Sequence, residues 1–202
     1  MKLLGMLDSP YVRRTAITLK LLGVAFEHQP LSVFRQYDAF RGFNPVVKAP
    51  TLVLDDGSYL MDSTLIIDYV EHVVGRSLLP SALEQRLIDT RFVALGLATC
   101  DKAVQIVYEH TQRPAEKQHA PWLSRVTEQM LSACDALETL QRQHPLSLQP
   151  PALTQGSVTV AVAWRFVQLK IADIVPASRF PRLNELSGQA EKLAEFRAFA
   201  PD

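Results

Sequence analysis

Three short stretches of this 202-residue chain hold residues whose types and spacing suit anion binding or thiol ionisation. Ser9 follows the apolar run Leu3-Leu4-Gly5-Met6-Leu7 and precedes Pro10-Tyr11-Val12-Arg13-Arg14, after which Ile17, Leu19, Leu21 and Leu22 make a buried helix. Serine suits the N-cap and proline the first helical position, and the free amides at a helix mouth attract negative charge, so a thiolate or carboxylate can dock there. Asp62-Ser63-Thr64 marks a second mouth of the same kind. Between them stands Lys48-Ala49-Pro50. A cis bond before a strand-opening proline turns the N–H and C=O of the preceding residue, here Ala49, outward to pair with an extended, peptide-like ligand. Taken singly, each stretch has an ordinary explanation: helix caps at Ser9 and Ser63, and a trans proline at a strand start.

The elements around these stretches decide between the two views. Residues 2–7 read as a strand, 10–23 as a helix ending at Gly23, and 25–29 as a strand stopped by Pro30, which together make a parallel βαβ unit. Residues 34–43 form a weak, irregular helix ended by Gly42 and Asn44-Pro45. Thr51–Leu54 and Tyr59–Met61 flank Asp55-Asp56-Gly57-Ser58 as a hairpin, and a helix capped at Asp62-Ser63-Thr64 closes at Gly75. Past the proline-bearing linker 76–82 the strand signals stop. Helices follow over residues 84–110, 121–143 and 157–172, with one or two short ones between Phe180 and Phe199. The third is apolar almost all round and must be walled in. The order βαβαββα with Pro50 opening the third strand is that of a thioredoxin-like domain, and in that layout Ser9, Ala49 and Ser63 meet at one end of the sheet. A short peptide would lay a thiol at Ser9, its backbone along Ala49 and a carboxylate at Ser63.

Composition narrows the partner. With 48% hydrophobic residues the chain can bury a core, and Lys+Arg and Asp+Glu stand equal at 21 each, which removes the general attraction needed to grip nucleic acid or an anionic membrane. A small molecule is the better ligand. No signal sequence or membrane span is visible, so the expected location is cytoplasmic. Cys100 and Cys134 read as reduced core thiols, and nothing in their spacing suggests a metal site.

On these residues the chain resembles the glutathione S-transferase superfamily. Ser9-Pro10-Tyr11-Val12-Arg13 is similar to the family's active-site helix start, Val47-Lys48-Ala49-Pro50-Thr51-Leu52 to its cis-proline segment, and Asp62-Ser63 to its acidic-Ser pair for the γ-glutamyl group. The linker at Leu79-Pro80 and the closing Phe180-Pro181-Arg182-Leu183 and Leu193-Ala194-Glu195-Phe196 also resemble bacterial members. The resemblance implies α/β plus all-α architecture, with a thioredoxin-like glutathione-binding domain at 1–77 and an all-helical domain at 84–202 that contributes the second-substrate pocket. It implies glutathione as co-substrate, a small electrophile or peroxide as its target, a detoxifying role and a homodimer. Ser9 would donate to the bound thiol. A free thiol with pKa near 8.5 is only a few per cent ionised at neutral pH, so lowering it by one unit multiplies the nucleophile about tenfold.

Weaker candidates surround Ser9. Arg13, one turn on, either faces the sulfur or makes a structural ion pair, Tyr11 is an alternative thiol donor, and Lys48 reaches a glutathione carboxylate or stays a solvated loop lysine. Cys100, Val104 and Tyr108, four apart, line either the cleft or the helical core. Serine instead of cysteine at position 9 favours conjugation or peroxide reduction over disulfide reduction, which glutathione itself can still perform. A non-catalytic regulatory or assembly role on the same fold is the other alternative. One departure from the family stands out: Ser157 is followed by Val160 where an aspartate usually completes a capping box, a loss of about 1 kcal/mol unless another group compensates.

Overall fold

Alternation along the first strand sets the N-terminal layers. In the computed structural model, which describes residues 1–201, β1 (Lys2–Leu4) sends Leu3 to one face of the sheet and Leu4 to the other. The Leu3 face packs against α1 (Pro10–Leu21) and α3 (Ser63–Val74) through Val12, Ala16, Leu19, Ile66 and Val70. On the other face, Leu4 joins Leu31 and Phe40, the latter from the single-turn helix α2 (Tyr37–Arg41). Strand β2 (Glu27–Gln29) runs parallel to β1, while β3 (Thr51–Val53) pairs antiparallel with β1 and with β4 (Tyr59–Met61), so the sheet order is β2-β1-β3-β4. This is the expected βαβαββα order, with strands shorter than the sequence suggested. β1 ends before residue 7 because Gly5 takes φ +135°, where an added Cβ would meet Val12 Cγ2 at 2.5 Å. α2 covers only part of 34–43, since Ser32 Oγ holds the amides of Phe34 and Arg35 in a turn ahead of it.

After Leu78 the chain is helical: α4 (Leu83–Gln112), α5 (Ala120–Gln143), α6 (Gln155–Lys170) and α7 (Pro181–Ala190), with α8 (Ala194–Arg197) in the tail. Two compact units result, one of residues 1–78 with the tail from Glu191 onward, the other Leu79–Ala190. The tail thus groups with the strand-bearing unit rather than with the helical one, held by an ion pair from Glu191 to Arg13 and by stacking of Phe199 on Phe26 at 5.6 Å. In the second unit α6 is buried on nearly every side and packs on α4 and α7. No helix among the described residues is long and apolar enough to cross a membrane.

The start of α6 corrects the sequence reading. The helix begins at Gln155, its N-cap is Thr154, and Ser157 sits at N3, where its hydroxyl answers Thr154 in a reciprocal capping box. The carboxylate missing at Val160 arrives from α4 instead: Asp89 accepts from the Thr154 hydroxyl and, at 3.0 Å, from the amide of Gly156. Gly156 is what lets it in, because a Cβ there would lie 2.5 Å from Asp89 Oδ1. The same device recurs. Glu109 of α4 accepts from His119 N at the mouth of α5, and Glu138 of α5 accepts from Arg182 N and Leu183 N in the first turn of α7.

Candidate functional site

A closed circuit of contacts joins the three stretches singled out by sequence. Val12, in the first turn of α1, packs at Gly5, and the same glycine lies under Ala49, whose Cβ would be 3.1 Å from one added there. Next to Ala49, Lys48 Nζ reaches Asp62 Oδ2 at 3.3 Å. From Ser63 the circuit returns to α1, since Arg14 Nη1 donates to Ser63 Oγ at 2.9 Å. The Ala49-Pro50 peptide bond is cis.

Each helix mouth is built as its residues demand. Ser9 is the N-cap of α1 with Pro10 in the first turn, and its hydroxyl accepts a long hydrogen bond, 3.5 Å, from Val12 N. Asp62 caps α3 by accepting from Thr64 N at 2.9 Å. Burial opposes ionisation of Asp62, but the Thr64 amide and the Lys48 ammonium outweigh it and hold its carboxyl below the ordinary 3.8. Ser9 and Ser63 share one property. Both hydroxyls accept from the chain, and neither donates to another group among the described residues.

Loop geometry supports this arrangement at some cost. Val47 takes φ +54° and Asp62 φ +80°, conformations that a β-branched and an acidic side chain rarely adopt and that cost on the order of 1–3 kcal/mol each. What over-determines the loop is Asn44, which sequence reading treated only as a helix terminator. Buried, it donates to Thr51 Oγ1 at 2.8 Å and accepts from Val46 N at 2.9 Å, while the Thr51 hydroxyl donates to Lys48 O at 2.7 Å.

Of the weaker candidates, Arg13 is corrected as a group facing the sulfur. Its guanidinium pairs with both carboxylate oxygens of Glu191 at 2.7 Å and donates to Phe199 O and Phe196 O, which is the structural ion pair held as the alternative. Its neighbour Arg14, to which the sequence assigns no role, is the arginine that meets α3. Consecutive residues on a helix point about 100° apart, and the double arginine gives no sign of which faces where. Tyr11 is half-buried, with its carbonyl engaged by Thr15 Oγ1. In the helical unit Cys100 is buried and Tyr108 exposed, so that stripe runs from core to surface. Burial pushes the Cys134 thiol up to about 12, which leaves it protonated and unreactive at neutral pH. No group of three or more His, Cys, Asp or Glu side chains among the described residues is placed to hold a metal.

Residues 3–77 match the model of the glutathione S-transferase N-terminal domain. A GST-like protein of Escherichia coli K12, YibF, is 32% identical over 177 residues, covering 87% of this chain and 85% of that one. The chain belongs to the glutathione S-transferase family. Glutathione S-transferase U6 of Arabidopsis thaliana is 27% identical over 55% of each chain. Among solved structures, a glutathione transferase family member from Pseudomonas fluorescens Pf-5, with bound S-(propanoic acid)-glutathione, superposes with TM-score 0.81 and 26% identity over the full length of both chains. A glutathione S-transferase of Methylobacterium radiotolerans, 24% identical over 99% of this chain and 94% of that one, superposes with TM-score 0.89, which concerns the fold. The thioredoxin-like N-terminal domain and the all-helical remainder are thus the glutathione S-transferase architecture.

Proposed function

We propose that this glutathione S-transferase ionises the thiol of bound glutathione beside Ser9 and directs it at a small electrophile or a peroxide. The observation that carries the proposal is the pair of uncommitted O–H donors, Ser9 and Ser63, at two helix mouths joined through Ala49-Pro50. Glutathione in the Pseudomonas relative's site, as its S-conjugate, supports the choice of ligand. Glutathione would place its thiol at Ser9, its backbone along Ala49 and Pro50, and its γ-glutamyl carboxylate at Ser63. Asp62, held ionised, suits the γ-glutamyl ammonium, and Lys48 supplies a cation near the peptide's carboxylates.

Chemistry follows from the N-terminus of α1. Its amides and the Ser9 hydroxyl favour the thiolate, and the thiolate displaces the leaving group from an electrophilic carbon. With serine at this position no mixed disulfide with the protein forms. Leu65, Tyr69 and Val73, four apart on α3 and exposed, leave an apolar strip that supports a homodimer.

Ser9→Ala is expected to lower kcat/KM for conjugation of glutathione to chloro-dinitrobenzene about tenfold, the effect of one unit of thiol pKa. Spectroscopic titration of the bound thiol should show its pKa raised. Full activity in this variant would transfer the donor role to Tyr11. Turnover of 2-hydroxyethyl disulfide without conjugation would make the protein a reductase, and failure of the wild type to bind immobilised glutathione would leave a non-catalytic role.

A further inference from the structure

The structure assigns Arg14 as the positioning residue that fixes the Ser63 hydroxyl as a donor toward the ligand, an inference that rests on the glutathione site proposed above. Arg14 is 2% exposed and Ser63 3% exposed, so their hydrogen bond of 2.9 Å lies out of water. A guanidinium only donates. Once Arg14 occupies a lone pair of Ser63 Oγ, the serine's own proton must point elsewhere, and no described residue accepts it. The second Nη1 contact, to Thr64 Oγ1 at 3.2 Å, ties the same guanidinium to the next residue of α3 and limits its movement. Asp62 meanwhile takes the Thr64 amide. Thr64 is exposed, so the buried side-chain donor in the first turn of α3 is the Ser63 hydroxyl, and what a fixed, buried O–H donor takes is an anion such as the γ-glutamyl carboxylate.

Without Arg14, the Ser63 hydroxyl is a free rotor, able to turn its proton away from the ligand toward a neighbouring backbone or side-chain acceptor. The carboxylate would then meet lone pairs instead of a proton. Arg14 thus sets affinity for glutathione through Ser63, without touching the peptide.

Calorimetry of glutathione binding to wild type, Arg14→Met, Ser63→Ala and the double variant tests this. Ser63→Ala and Arg14→Met should each weaken glutathione about tenfold, as expected for loss of a hydrogen bond to a charged group, and the double variant should be no weaker than Ser63→Ala. A second probe, 4-aminobutyryl-cysteinyl-glycine, is glutathione stripped of its γ-glutamyl carboxylate. For it, Arg14→Met should bind like wild type, an outcome that a merely structural role does not give. Should Arg14→Met fail to fold, Arg14→Gln takes its place, since its amide carbonyl accepts the Ser63 proton and predicts the same loss. Wild-type affinity in the Arg14 variant, or additive losses in the double variant, would overturn the assignment. No binding by the wild type would instead overturn the glutathione site itself, and weakening by Ser63→Ala alone would spare that site and reject Arg14.

Discussion

Arg13→Ala should destabilise the strand-bearing unit by about 3 kcal/mol, the low end of the range for breaking a buried ion pair. Arg13 is 2% exposed and Glu191 23% exposed, so the pair is shielded on one side only. The guanidinium donates four hydrogen bonds, two to the Glu191 carboxylate, one to Phe199 O and one to Phe196 O, and lies over the Phe196 ring at 5.8 Å from its centroid. Truncation leaves that carboxylate and Phe199 O without their donor, Phe196 O keeping the Phe199 amide, while partial exposure lets water reach the carboxylate. Glu191→Gln keeps the geometry and should cost about half as much, because hydrogen bonds to a neutral acceptor are weaker. Urea unfolding measures both. Limited proteolysis should cut residues 191–201 in Arg13→Ala at protease levels that spare the wild type. A loss below about 1 kcal/mol, the value of an exposed pair, would show that the tail is held by something else.

Asp89→Ala should cost about 2 kcal/mol, since it leaves the Gly156 amide without an acceptor at the head of a buried helix and the Thr154 hydroxyl with only its 3.2 Å contact to Ser157 Oγ. Gly156→Ala probes the same junction from the other side. In an open helix this change stabilises by about 1 kcal/mol, yet here the new Cβ meets Asp89 Oδ1 at 2.5 Å and Phe92 Cβ at 3.1 Å, so stability should fall. Burial raises the Asp89 pKa above its ordinary 3.8, against the opposing effect of its two donors. A raised carboxyl favours folding most when protonated. Its contribution is complete below 3.8 and declines as pH rises through the folded-state value. Asp89→Asn cannot titrate, so the stability difference between wild type and this variant should shrink as pH rises from below 4. A difference that widens over that interval would mean that the donors outweigh burial.

Local patterns made much of this fold legible. Capping signals at Ser9-Pro10 and Asp62-Ser63, the Asp-Gly hairpin and the apolar surface of α6 are all written within a few residues, and the elements appear where those residues stand. What escaped was non-local. Asp89 lies more than sixty residues before the helix it caps, and nothing in its own surroundings marks it. The division of labour between Arg13 and Arg14 depends on helical phase relative to two partners, Glu191 and Ser63, that are distant in sequence. Asn44 reads as punctuation before Pro45 because its partners, buried Thr51 and half-buried Met61, are on strands that only the folded sheet brings to it.

The carboxylates that cap α5, α6 and α7 from neighbouring helices have a consequence for cooperativity. A helix with only its own cap can keep its first turn while the rest of a protein loosens, but His119, Gly156 and Leu183 have their amides held by Glu109, Asp89 and Glu138 on other helices, and at α6 this is added to the local Thr154–Ser157 box. At these amides fraying cannot run ahead of the helix packing that supplies their acceptors. Amide exchange at these positions is thereby coupled to separation of whole helices, and the ends of the helical unit, ordinarily its softest points, acquire the stability of its interior.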